Sequence, residues 1–129
     1  MKLADARIFD GRRVSQRLLR INADGTGRTV IADTADSYRF VQCINNDTEL
    51  VYNRAATNAT YSQIWAYNID GSSPCALTST DSGKIGLSVS PDGTSLAYTE
   101  VLPTGEQGNT EPLRRVQLID PDGSNPRTI

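Results

Sequence analysis

The chain contains no histidine, which removes a good deal of chemistry at once. Ser-His-Asp hydrolysis and the usual zinc and haem sites all draw on an imidazole. Two cysteines, Cys43 and Cys75, are too few for a four-ligand zinc site. An excess of one charge is missing too: 13 Lys and Arg face 15 Asp and Glu, for a net charge of −2. Phosphate binding needs cations clustered on one face, so no nucleic-acid partner is expected. Arg12-Arg13 and Arg114-Arg115 are only pairs, read as solvated loop edges. No apolar run approaches the ~18 residues of a membrane-spanning helix. The start, Met1-Lys2-Leu3-Ala4-Asp5, meets an acid before any apolar stretch and so lacks the pattern of a signal peptide. As it stands, such a chain is expected in the cytoplasm. Helical periodicity is absent as well: nowhere do apolar residues recur at i, i+3, i+4 and i+7 over three turns.

What is present is a repeat. Composition, at 37% apolar and 22% charged, is that of an ordinary folded domain. Asp-Gly pairs occur at Asp24-Gly25, Asp70-Gly71 and Asp122-Gly123, spaced 46 and 52 residues apart, each after a segment rich in Val, Ile, Leu and Tyr. A second signal, Ser90-Pro91-Asp92-Gly93, matches Asn45-Asn46-Asp47-Thr48 at a spacing of 45. Both share the period of a four-stranded propeller blade, about 40–50 residues. The reading is an all-β chain of four-stranded antiparallel meanders, about 2.75 blades within one partial propeller domain 1–129. Blade 1 covers 1–32 and starts at its second strand; blade 2 covers 38–78 and blade 3 covers 84–129. Strands are expected at 17–22, 28–31, 39–44, 49–54, 63–68, 75–78, 86–90, 95–100, 115–120 and 127–129. A β-sandwich also has many short strands, but it does not call for tight turns alternating with long ones. Here 8–16, 55–62 and 101–112 are the expected long loops, all on one face. The strand assignment puts the two cysteines on the inner and outer strands of one blade, ~14 Å apart. That exceeds the ~7 Å a disulfide tolerates, so both are expected as free, partly buried thiols.

The Ser90-Pro91-Asp92-Gly93 corner with Leu96-Ala97-Tyr98 after it, then Asp120-Pro121-Asp122-Gly123-Ser124-Asn125-Pro126-Arg127, resembles the Pro-Asp-Gly propeller repeat of the TolB family, a relative of the WD-type repeat. The likeness runs along nearly the whole chain. It is clearest in the last blade; the middle one keeps Asp70-Gly71-Ser72-Ser73-Pro74 but has Asn46 and Thr48 where the first Pro and Gly would stand. The resemblance implies a fold more than an activity, since such propellers serve as peptidoglycan-associated scaffolds, as gates of prolyl peptidases and in some lyases. It also implies a periplasmic address should the chain be a fragment of a secreted relative.

Most motif residues have structural explanations. Glycine supplies the positive φ of a tight corner, Asp accepts N–H bonds within it, and Pro91 and Pro121 pre-set φ. Asp120-x-Asp122-Gly123-Ser124-Asn125 resembles the start of a calcium loop but lacks the distal Glu and flanking helices, so no metal and no cofactor are expected. Leu18, Ile21, Leu50, Ile64, Tyr67, Leu96, Val116 and Ile119 are expected between blades. Trp65, with Tyr61 near it, is expected to cover a blade face. Asp81, Glu100, Glu106 and Glu111 show no spacing that would pair them as acid and base. Asn46-Asp47-Thr48 and Asn58-Ala59-Thr60 match the glycosylation pattern but would need a secretory route.

The functional expectation is a non-catalytic binding or scaffold module. Its candidate recognition residues are those of the long-loop face: Arg12, Arg13, Asp36, Tyr61, Asp81 and Glu106. The partner is a protein or small ligand. About three blades leave open apolar faces, so self-association is expected, a homodimer forming a six-bladed ring before a homotrimer. The alternative is the remnant or accessory propeller of an enzyme, a peptidase gate or a lyase, with its chemistry outside this chain.

Overall fold

The computed structural model describes residues 2–10, 13–34, 37–56, 58–102 and 112–129. Among them there are eleven strands and no helix. β1 (Lys2–Asp10), β2 (Arg13–Ile21) and β3 (Thr29–Thr34) form a three-stranded sheet. β4 (Ser37–Ile44), β5 (Glu49–Ala55), β6 (Gln63–Asn68) and β7 (Cys75–Ala76) form the second, and β8 (Gly83–Val89), β9 (Leu96–Val101), β10 (Arg114–Ile119) and β11 (Arg127–Thr128) the third. Every sheet is an antiparallel meander in chain order. The chain is therefore all-β and built of propeller blades.

Period-two alternation explains how the sheets stack. Along β5, Leu50 and Tyr52 face the first sheet while Val51 faces the third. The middle sheet is covered on both sides, and Leu50, Val51 and Tyr52 are all wholly buried. One cluster joins Leu18 and Ala32 to Tyr38, Leu50, Tyr52 and Tyr67; the other joins Ile44, Val51 and Ile64 to Leu87, Leu96, Tyr98 and Ile119. Each such side chain contributes roughly 1.5–3 kcal/mol by leaving water. Of the expected core, Leu18, Leu50, Ile64, Tyr67, Leu96 and Ile119 are buried, and Ile21 is half-buried. Val116 is 45% exposed, because it faces away from the second sheet.

The Asp-Gly corners are nearly superimposable in their bonding. In each, the glycine N–H donates to the residue three before it: Gly25 to Asn22, Gly71 to Asn68, Gly93 to Ser90 and Gly123 to Asp120, at 2.8–2.9 Å. The Asp Oδ1 accepts from the backbone and hydroxyl of Thr26, Ser72, Thr94 or Ser124 at 2.6–3.1 Å. These bonds pull the carboxyls of Asp24, Asp70 and Asp122 below the usual range, and the further hydroxyl of Ser90 takes Asp92 to about 2. Asn45–Thr48 is a different corner. Asn46 and Asp47 have φ of 53° and 62°, and Thr48 N–H donates to the Asn45 carbonyl at 3.2 Å, which is the left-handed hairpin turn that Asn and Asp tolerate. Its four residues between Ile44 and Glu49 match the four between Ser90 and Ser95, but Asp47 stands one place later in its turn than Asp92, which is why the two Asp signals lie 45 apart while the strands around them repeat at 46.

Three expectations need correction. Residues 8–16 are not a long loop: Asp10 pairs with Arg13, and β1 and β2 run in register back to Lys2 and Ile21. Polar residues such as Asp10 and Arg13 stand at paired strand positions, which alternation alone does not separate from a loop. β4 and β8 begin earlier than expected, because each carries a bulge that interrupts the period, at Arg39/Gln42 and Ile85/Ser88. Gly86 supplies the positive φ of the second bulge, and Phe40 takes φ 54° in the first. Cys75 is exposed rather than partly buried, since β7 is an edge strand; Cys43 is half-buried, and both thiols are free.

The inner strands of neighbouring blades are joined by one side chain. Gln42 Nε2 donates to the Leu87 carbonyl at 2.6 Å, and its Oε1 accepts from the Val89 N–H at 3.2 Å. The amide thus stands in for a peptide group and continues the ladder from β4 to β8.

Candidate functional site

Among the described residues, 58–62 and 77–82 lie at one end of the blades, and the Asp-Gly corners at the other. Arg12, Asp36 and Glu106 lie outside the described residues. Arg13 opens β2, with its side chain outside the described part. Tyr61 is half-buried in the 56–62 connection and Asp81 is exposed in the 77–82 connection. Tyr61 and Asp81 stand at the same end of the blades.

A pocket lies between the second and third blades, reaching from that end to Gly123 and Pro126 at the Asp122-Gly123 corner. The chain leaving β7 is clamped to β6: Thr78 Oγ1 donates to Gln63 Oε1 at 2.7 Å and accepts from Ile64 N–H at 2.9 Å, while Gln63 Nε2 donates to the Thr80 carbonyl at 2.9 Å. This holds Thr78, Ser79 and Thr80 as one wall of a cavity of about 250 Å³. Tyr98, Glu100, Arg115 and Gln117, projecting from β9 and β10, form the opposite wall.

Glu100 is the centre of the polar network and is 4% exposed. One oxygen accepts from Ser82 Oγ and from Thr80 Oγ1 at 3.2 Å; the other accepts from Arg115 Nε at 2.8 Å and Gln117 Nε2 at 3.0 Å. Burial would raise its pKa, but the bonds from Ser82, Arg115 and Gln117 together outweigh it and hold the carboxyl at about 2. Lys84, 1% exposed, lies 3.8 Å from Glu100 and donates to the Ser82 carbonyl and hydroxyl at 2.5 and 2.9 Å. Burial lowers its pKa against the pull of Glu100. The Lys84 carbonyl is itself held by Asn53 Nδ2 and Ser62 Oγ.

With these bonds made, Glu100 is an anion whose two oxygens are occupied by four donors, beside the buried Lys84 ammonium. Arg115 differs: only its Nε is spent on Glu100, and 44% of its side chain remains exposed. Its planar fork is suited to a carboxylate or another flat anion.

Thr80, Ser82, Lys84, Arg115 and Gln117 escaped the sequence reading. The available signal was alternation: Leu96-x-Tyr98-x-Glu100 parallels Leu50-x-Tyr52-x-Arg54, which places Glu100 and Arg54 on blade-facing surfaces where a charge needs a partner. Arg54 finds the Trp65 ring, 4.5 Å from its centroid. Trp65 thus packs against the cluster between the first two blades, as its blade-covering role requires. The Asp120 and Asp122 carboxylates are engaged by Asn125, Arg127 and Ser124.

No family model and no curated protein matches the sequence. Solved structures do. The putative TolB from Agrobacterium tumefaciens superposes with a TM-score of 0.70 at 21% identity, over 98% of this chain and 44% of that one. An oligogalacturonate lyase in complex with manganese gives 0.69 at 18%, over 90% and 30%, and a chain of a nidogen/laminin complex gives 0.65 at 18%, over 92% and 44%. The chain spans less than half the length of each. The chain has the fold of a partial TolB-like β-propeller.

Proposed function

We propose that the chain is a non-catalytic binding module that receives an anionic group, a carboxylate of a small ligand or of a protein side chain, in the cleft between its second and third blades. The observation that carries this reading is the state of the cleft's charges. Glu100 and Lys84 satisfy one another and their neighbours, while Arg115 offers the outer part of its guanidinium to a cavity lined by Thr78, Ser79 and Thr80. Tyr61 and Asp81 belong to the same end and would contact a larger partner. Closure of the open blade faces by self-association belongs to the same proposal, with a homodimer ahead of a homotrimer. The unpaired thiols, one of them exposed, fit a reducing compartment and support a cytoplasmic address.

Titration of the isotope-labelled chain with glutarate tests the ligand site. Amide shifts are expected to concentrate at Thr78–Thr80, Arg115 and Gln117 and to disappear in R115A; shifts scattered over the surface, or unchanged in R115A, overturn it. The alternative, an accessory propeller of an enzyme, draws on the likeness to the lyase. On that reading the chemistry would be supplied from outside this chain.

A further inference from the structure

Each sheet repeats the last, so every position can be compared with its counterparts, and two positions record how one sheet sits on the next. The first is six residues before the Asp of each Asp-Gly corner, where Leu18, Ile64 and Val116 stand. Leu18 is 2% exposed and Ile64 0%, each covered by the sheet that follows; Val116 is 45% exposed. The second position is the corner glycine. A Cβ on Gly71 would lie 2.6 Å from the Ile31 carbonyl oxygen, and one on Gly123 would lie 2.9 Å from that of Leu77. Each corner therefore rests on the outer-strand backbone of the sheet before it. Gly25, with φ 87° like Gly71 and Gly123, has nothing within 4 Å.

The missing support has a counterpart at the far end of the chain. Leu77, on which Gly123 rests, donates its N–H to the Ile64 carbonyl at 2.8 Å, and Ile129 donates to the Val116 carbonyl at 3.0 Å in the same pattern. Ile129 is 77% exposed. The cross-strand pair Thr99–Val116 repeats the covered pair Asn53–Ile64, while Ile85 is exposed as its counterpart Arg39 is. The two bare surfaces are thus opposite halves of an interface the chain already makes twice within itself.

We infer that a second copy of this chain rests its Gly25 corner on the Ile129 strand end of the first and covers Thr99 and Val116, the reciprocal contact closing a ring of six sheets. This rests on the self-association part of the reading above and gives it a place. Such a contact is heterologous, and it ends at two copies when three sheets turn the chain through half a circle. The Gln42 bridge is not repeated at this junction, since the first sheet has three strands; the junction is carried by corner and outer strands.

Light scattering on a dilution series tests the assignment, with folding of each variant checked by circular dichroism. The wild type should show twice the 14.0 kDa chain mass. Val116→Glu, at an exposed position, and Gly25→Val should each halve it, whereas Gly93→Val, at a corner with open space around it, should not. Mixing the Val116→Glu and Gly25→Val chains should restore the double mass, because one of the two junctions in the mixed pair is unaltered. A wild type at single chain mass throughout overturns self-association altogether. A double mass that survives both substitutions leaves self-association standing and overturns this contact. A wild type at three times the chain mass overturns the six-sheet ring.

Discussion

Replacing Glu100 by Gln removes one charge and almost no volume, which makes E100Q a clean probe of the cleft. Lys84, 1% exposed and 3.8 Å from the carboxylate, then holds a buried charge without its counter-ion. Breaking such a pair from one side costs ~3–5 kcal/mol, and the lower end applies here because Arg115 and its solvent-exposed fork relax the site. A carboxyl held at about 2 instead of 4.5 gives a similar figure, ~3 kcal/mol at neutral pH. The folded-state pKa is the lower one, so this stability is complete above pH 4.5 and drains away as pH falls towards 2. Urea unfolding followed by Trp65 fluorescence should therefore show E100Q about 3 kcal/mol less stable than wild type at pH 7, with the gap well under half that size at about pH 2.5. The double variant K84M/E100Q should regain most of the loss, because no buried cation remains. An E100Q deficit under ~0.5 kcal/mol at pH 7, or one independent of pH, would refute the reasoning.

Gln42→Ala removes two hydrogen bonds between inner strands and should cost ~2 kcal/mol. Hydrogen exchange should locate that loss, with the Val89 amide accelerated and the Val51 amide, inside the ladder of its own sheet, changed no more than global stability requires. The Tyr52 hydroxyl is buried and has no hydrogen-bond partner among the described residues, so Tyr52→Phe should be neutral or stabilising by up to ~1 kcal/mol in thermal unfolding. The rings account for this residue's place: Tyr52 stacks on Tyr67 at 5.2 Å and meets Tyr38 edge-on at 5.4 Å.

The architecture was legible because its signals are local. An Asp-Gly corner needs only a glycine with positive φ and an Asp that can reach the residue two further on, and both are written in consecutive letters. Alternation around those corners then placed Leu18, Leu50, Ile64 and Leu96 in the core. The bulges at Phe40 and Gly86 were not legible, since Phe40 takes a backbone conformation its side chain does not favour. Nor was the cleft, whose members come from the 77–82 connection, β8, β9 and β10 and meet only through blade packing. Arg115 looked like half of a solvated pair because its partner Glu100 sits on another strand, facing inward at a register that single-chain spacing does not reveal. The candidates Tyr61 and Asp81 were chosen by loop length alone, which locates an end of the molecule and not a pocket.

Blades rest on one another through their corners, and three glycine substitutions isolate that contact. Gly71, Gly93 and Gly123 have φ of 84°, 72° and 85°, so alanine meets a similar backbone cost at each, ~1–2 kcal/mol. Only at Gly71 and Gly123 would the new Cβ also strike the backbone of the preceding blade; around Gly93 there is open space. Urea unfolding should show G71A and G123A each less stable than G93A by at least ~1 kcal/mol, the cost of overpacking. If all three lose the same stability, the blades do not stack as described.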